Sequence, residues 1–293
     1  MTFVSYLSSG LALGSVYALI ALGYTMVYGI AKMLNFAHGD IIMVGGYVAF
    51  YACMAFNLPW WLCIILSILV CIILGVLVER LAYKPLRNAS SLSVLITAIG
   101  VSYFLQNFAQ LSFGSDTKIF PNLLSEGSFK FFNGQLTISY LSVITIVVCL
   151  VIMVCLMLFI NKTKIGRAMR ACAEDKEAAQ LMGININTTI SITFAIGSGL
   201  AAIASILLCS SYPSLSPTLG SMPGIKAFTA AVFGGIGSIP GALLGGLLLG
   251  VLENLAKAYI STQLSDAIVF AVLIIVLLIR PAGLLGKKKV EKV

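Results

Sequence analysis

The chain reads as an all-α, polytopic helical membrane protein with about eight spanning segments, two of them broken or re-entrant. Three observations predict this. Of 293 residues, 60% are apolar and 10% charged, against roughly 45–50% and about 25% in soluble domains; ten acids and eighteen bases cannot cover a soluble core of this size. The stretches 1–31, 41–78, 88–115, 131–161, 178–225 and 227–252 carry no Asp, Glu, Lys or Arg, and each exceeds the roughly 20 residues of a spanning helix. The ten-residue alternation of a β-barrel does not occur.

The elements follow in order. The first apolar run predicts a helix over 3–27; with no basic residue before it and Gly, Ser and Tyr scattered through it, it is expected to stay rather than be removed as a signal peptide. Further helices are expected over 41–56, 60–78, 92–111, 138–160 and 188–211, then a broken element over 226–258 and a last helix over 266–284. Seven of eight prolines (Pro59, Pro85, Pro121, Pro213, Pro217, Pro223 and Pro281) sit at edges of apolar runs, where a missing donor is harmless. All 293 residues form one transmembrane unit, with candidate repeat halves 1–112 and 188–286 around a connecting segment 161–187.

The net charge of +8 is unevenly spread. Thirteen bases fall in three stretches: Arg80, Lys84 and Arg87; Lys162, Lys164, Arg167, Arg170 and Lys176; Arg280, Lys287, Lys288, Lys289 and Lys292. Basic clusters beside apolar spans face the cytosol, so all three, and with them the C-terminus, are placed there. This distribution argues against a nucleic-acid partner. Asp116 and Glu126 against Lys118 and Lys130 give the 113–136 segment no net charge, which suits the outside. By parity the 226–258 element then begins and ends outside. Its middle, Gly234-Gly235-Ile236-Gly237-Ser238-Ile239-Pro240-Gly241, is unsuited to unbroken helix; a half-helix, a turn and a second helix fit, as does a tight crossing pair.

An earlier break, Lys32-Met33-Leu34-Asn35-Phe36-Ala37-His38-Gly39-Asp40, lies about 200 residues before this one, and both precede a Gly-studded helix. Interrupted helices in corresponding halves mark transporter repeats; close packing of ordinary membrane helices through small residues is the other reading. Polar groups at lipid depth suggest function. Asn35, His38 and Asp40 are candidates to line or gate a path, against a plain role for Asn35 and Asp40 as helix caps and for His38 at the headgroups. Gly235, Gly237 and Pro240 are the matching candidates in the second break. Glu253 and Lys257, four apart with the acid first, suit a structural ion pair. The single histidine rules out a multi-histidine metal site, and seven dispersed cysteines without a CxxC give no disulfide framework or thiol redox pair. The 167–182 segment, with Ala171, Ala178, Leu181 and Met182 near one face, predicts a short amphipathic helix at the cytosolic surface; it either docks a partner or is simply solvated.

Glu177-Ala178-Ala179, three residues and Gly183 resemble the EAA-x3-G motif by which bacterial ABC permeases engage their ATPases. The 166–184 run, the opening Gly14-Ser15-Val16-Tyr17-Ala18-Leu19 with Leu34-Asn35-Phe36-Ala37-His38-Gly39-Asp40, and the 234–246 region together resemble branched-chain amino acid ABC permeases of the LivH type, in the right order over nearly the whole chain. The later Leu-Pro of many importer motifs is missing, since Gly183 leads into ININTTISIT; this departs from the smaller-importer pattern and agrees with the looser motif of the branched-chain and ribose permease group.

That resemblance implies a non-catalytic permease subunit in a bacterial inner membrane, moving Leu, Ile or Val. Its implied partners are a second homologous permease subunit, two cytosolic ATPase subunits and an extracytoplasmic solute-binding protein. Glu177, Ala178, Ala179 and Gly183 would contact an ATPase, with Arg167 and Arg170 supporting that surface. The chain has no GxxxxGK(S/T) loop, so it is expected to bind no nucleotide or other cofactor itself. Permeation of urea or short amides, an ion-coupled carrier, a channel and an intramembrane enzyme are the rival readings; few buried acids weigh against the carrier and the lack of catalytic groups against the enzyme, while passive flux through the isolated subunit would mark a channel.

Overall fold

A computed structural model describes residues 2–87, 89–121, 127–131 and 136–286. Glu126 and the tail lysines Lys287, Lys288, Lys289 and Lys292 lie outside the described residues. The chain is a helical membrane protein arranged around its first helix. That helix, α1 (Thr2–Ala31), rises about 45 Å at 1.5 Å per residue and is almost wholly buried from Gly10 to Ala31, with Phe3, Val4 and Tyr6 exposed at its start. A helix enclosed on every side needs no polar face, which fits its uncharged sequence. Against it pack α8 (Ile186–Ser211), α9 (Ser221–Gly234) and α10 (Ile239–Tyr259). Gly10 faces Val251, Gly14 faces Leu247, Ala18 faces Gly246 and Gly29 faces Gly237. The order runs backwards, so α10 lies antiparallel to α1, and small residues let the two backbones mesh.

The remaining helices surround this centre. After the break at 32–37 comes α2 (His38–Met54), then α3 (Trp60–Val78), which continues through a π-helical turn at Glu79–Tyr83 and a 3-10 turn at Lys84–Leu86. The helix α4 (Ser91–Phe113) starts on Ser90, whose hydroxyl accepts from the Ser93 N–H. A small antiparallel hairpin, β1 (Ser128–Phe131) and β2 (Leu136–Ser139), precedes α5 (Tyr140–Lys162). Next come α6 (Lys164–Glu174) and α7 (Lys176–Leu181), and α11 (Ser265–Ile279) closes the described helices.

Among the described residues, six helices are long and apolar enough to cross a membrane: α1, α3 with its continuation, α4, α5, α8 and α10. The others are shorter, and for α2 and α9 the packing gives the reason. The His38 ring occupies the space over Gly23, while Gly224 stands beside Tyr24. Gly23 is about 12 Å along α1 from its end at Ala31. Both short helices therefore begin about a quarter of the way along the central helix from its C-terminal end, rather than at either end.

Several boundaries differ from the sequence reading. The helix α1 runs on to Ala31, and α5 begins at Tyr140 because β2 takes up the residues before it. The first limb of the broken element starts at Ser221, not 226, with Pro223 in its first turn; first-turn N–H groups have no intrahelical acceptor, so the proline costs little there. The last helix stops at Ile279, because Arg280 precedes Pro281 and leaves the helical region at φ −133° and ψ 85°. The expected single helix over 167–182 is two helices. Asp175 breaks it at φ −150° and caps α7 by accepting from the N–H groups of Glu177 and Ala178. The break re-aims the second half: Met169, Cys172 and Ala179 are buried, whereas Ala178, Leu181 and Met182, expected on the packed face, are exposed.

Candidate functional site

The first turns of α2 and α9 meet beside Gly23 and Tyr24 of α1. A methyl group on Gly220 would fall on the Gly39 carbonyl oxygen, and one on Gly39 would fall on the Gly220 carbonyl oxygen. Only glycine at both positions lets the two turns cross at backbone distance. Neither helix has a side-chain cap, the residues before them being Ala37 and Gly220, so the positive ends of two helix dipoles converge on one place.

Asp40 sits in the first turn of α2 and is 1% exposed. Its Oδ1 accepts a hydrogen bond from Gln106 Nε2 on α4 at 2.8 Å; that amide nitrogen also lies 3.2 Å from the hydroxyls of Ser102 and of Ser221 on α9. One amide thus ties α2, α4 and α9 together. Among the described residues no Lys, Arg or His pairs with the Asp40 carboxylate. These groups border a cleft of about 240 Å³, whose other walls include Tyr24, Phe36, Ile99 and Ile225.

Of the three candidates in the first break, only Asp40 borders this cleft. The Asn35 Oδ1 accepts from the Tyr83 hydroxyl at 2.8 Å, anchoring the break to the π-helical turn after α3. His38 is buried edge-on against Tyr24 with ring centroids 4.7 Å apart. Asn35 Nδ2 and His38 Nε2 are both buried without a hydrogen-bond partner. Gly235, Gly237 and Pro240 lie elsewhere, at the level of Gly29 near the end of α1. Gly235 and Gly237 have φ of 106° and 93°, which the turn between α9 and α10 requires, and Pro240 occupies the first turn of α10.

Glu253 and Lys257 belong to a larger cluster than the i,i+4 pair read from sequence. Lys257 Nζ stands 2.6 Å and Lys226 Nζ 2.9 Å from Glu253 Oε1, while the Tyr17 hydroxyl donates to Oε2 at 2.8 Å. Lys226 also pairs with Asp266 at 2.6 Å. Five side chains join α1, α9, α10 and α11. Lys226 and Asp266 are isolated charges in apolar sequence, which is the signal that could have found them.

At the end of α1 lies the second cleft, about 310 Å³, bordered by Lys32, Arg87 and Lys176. Lys176, the first residue of α7, donates to the Ala31 carbonyl at 2.7 Å. Burial, with Arg87 and Lys32 nearby, holds its ammonium below the usual lysine range. Arg87 pairs with the buried Glu79 and with Asn187, and Ser191 donates to Glu79 at 2.6 Å. Nearby, Arg167, Arg170, Glu177, Ala178 and Gly183 are exposed or half-buried and Ala179 is buried. Gly183 follows α7 with φ 82°, and Leu181 and Met182 are 88% and 83% exposed.

The model of the family described as branched-chain amino acid transport system, permease component, matches residues 6–277. The chain belongs to this permease family. It is 48% identical over 302 aligned positions to the high-affinity branched-chain amino acid transport system permease protein BraD of Pseudomonas aeruginosa, covering 99% of this chain and 98% of the relative. It is 45% identical over 309 positions to the permease protein LivH of Escherichia coli K12, with the same coverage. A solved structure, PsaBC from Streptococcus pneumoniae in complex with Fab, shares the fold with a TM-score of 0.50 at 14% identity, over 94% of this chain and 92% of that one.

Proposed function

We propose that the chain is the membrane-spanning permease subunit of an ATP-driven importer of branched-chain amino acids, with its path running past the junction of α2 and α9. The observation that carries the reading is the convergence of two uncapped half-helices and a buried carboxylate on a polar cleft beside Gly23 and Tyr24 of the central helix, well inside its end. Discontinuous helices that end inside the membrane are how transporters present polar groups to a substrate within lipid. The high identity to BraD and LivH over whole chains supports the substrate class.

The basic end of the molecule, with Arg80, Lys84, Arg87 and the α6–α7 segment, faces the cytosol of a bacterial inner membrane by the positive-inside rule. There α7 presents Glu177, Ala178, Leu181 and Met182 to an ATPase subunit, with Arg167 and Arg170 beside them. Two exposed apolar side chains at the end of a six-residue helix suit insertion into a partner groove. The bond from Lys176 to Ala31 carries displacement of α7 to the end of α1. A second permease subunit completes the path, a solute-binding protein delivers Leu, Ile or Val from outside, and the chain itself binds no nucleotide.

Reconstitution tests this. Proteoliposomes holding this chain, its permease partner and the two ATPases should take up radiolabelled leucine only with both ATP and the binding protein present. Uptake that persists after ATP is removed would instead identify an ion-coupled carrier.

A further inference from the structure

We propose that the cleft between α2, α4 and α9 is a transient binding site for a zwitterionic amino acid, with Asp40 holding the ammonium and the first turn of α9 facing the carboxylate. The proposal rests on the permease reading above and names what that path holds on to. Asp40 is 1% exposed inside a membrane protein, and among the described residues its carboxylate has no cationic partner. Such a charge is costly unless a counter-ion arrives. Gln106 fixes one of its oxygens by donating to it at 2.8 Å, which orients the carboxylate without neutralising it.

The other walls select the counter-ion. An inorganic cation would satisfy Asp40 but make no use of the apolar walls Phe36, Ile99 and Ile225. A neutral amide such as urea would leave the charge uncompensated. A ligand with an ammonium, a carboxylate and a branched apolar side chain meets all three demands, because the Ser221 hydroxyl can donate to the carboxylate and the positive end of the α9 dipole faces it. At about 240 Å³ the cleft is smaller than the ~300–1,000 Å³ of drug-sized pockets, so the occupant is compact.

Protection of a reporter thiol tests the site. Ile99→Cys is placed in a chain carrying Cys53→Ser and Cys155→Ser, and the complete complex is assembled in nanodiscs without binding protein. Millimolar leucine should slow alkylation of the new thiol at least fivefold. 4-Methylpentanoate, which lacks the ammonium, and isopentylamine, which lacks the carboxylate, should slow it less than twofold. Asp40→Asn should abolish the protection by leucine, and Gln106→Ala, which keeps the carboxylate, should weaken it several-fold. Equal protection by leucine and 4-methylpentanoate, or undiminished protection in either variant, would overturn the proposal. Uptake by the parent complex with binding protein separates the two levels: uptake without any thiol protection removes the site and leaves the permease reading standing, whereas no ATP-driven leucine uptake removes both.

Discussion

Gly39 and Gly220 touch through their backbones, so that neither position has room for a single methyl group. This contact sets how closely α2 and α9 approach, and through it the shape of the cleft that Asp40 and Ser221 share. Gly220→Ala should therefore push the helices apart, costing about 1–3 kcal/mol as overpacking does and lowering leucine uptake at least tenfold. Gly100 has open space where a methyl group would stand, and as the control Gly100→Ala should leave uptake unchanged and cost no stability. Thermal unfolding in detergent and uptake in proteoliposomes check the pair.

The Glu253 cluster makes a second prediction. Glu253 is 1% exposed and pairs with Lys226, whose side chain is 8% exposed. Removing one partner of an isolated buried pair typically costs about 3–5 kcal/mol; here Lys257 and the Tyr17 hydroxyl still hold Glu253 when Lys226 is lost, and only the part-exposed Asp266 loses its cation, so the cost falls below that range. Lys226→Met should lower the unfolding temperature moderately, and adding Glu253→Leu should lower it further rather than recover it, because Lys257 then loses its carboxylate as well. A double-mutant cycle measures the coupling; additive losses would show that the two charges do not depend on each other.

The surface of α7 gives a third. Leu181 is 88% exposed, so Leu181→Asp removes no packing within the chain. Its expected effect is confined to the ATPase: copurification of the ATPase falls at least tenfold while the unfolding temperature of the permease stays essentially unchanged. Glu177→Lys should act similarly, with the residual ATP hydrolysis no longer tied to uptake. Unchanged assembly in both variants would remove the docking role from this helix.

Lys176 makes a pH-dependent prediction. Its ammonium titrates below the ordinary 10.5 because of burial and then of Arg87 and Lys32. The folded chain holds fewer protons there than the unfolded chain between the lowered value and 10.5, so stability rises with pH across that window. The penalty for carrying the charge is fully present below the folded value and relieved above it. Lys176→Met should flatten the rise in unfolding temperature on the alkaline side; an identical slope in the variant would contradict it.

Much of this is legible in the sequence and some is not, for reasons that lie in particular residues. The breaks around Asn35 and Gly235 show themselves through polar and glycine punctuation, and the EAA-like run through Glu177 and Gly183. Gln106 escapes notice although it is an amide in an apolar helix; its role depends on three helices meeting, which no local pattern records. Gly220 escapes it because its neighbours Pro213, Pro217 and Pro223 read as loop, and only the crossing with Gly39 gives it meaning. The division between α6 and α7 is readable from Asp175, a good N-cap two residues before Glu177. Leu181 and Met182 fall on the packed face only if one continuous helix sets the periodicity, and the turn at Asp175 resets it.

The path itself is tested most directly by the side from which it can be reached. With Ser102→Cys in a chain carrying Cys53→Ser and Cys155→Ser, a membrane-impermeant thiol reagent is added to one face or the other of oriented proteoliposomes, with and without trapped ATP. Modification of the introduced thiol should be at least tenfold faster from one face in the ATP-free complex and at least tenfold faster from the opposite face in the ATP-trapped complex. Equal and slow modification from both faces in both states would contradict a path through the meeting point of α2, α4 and α9.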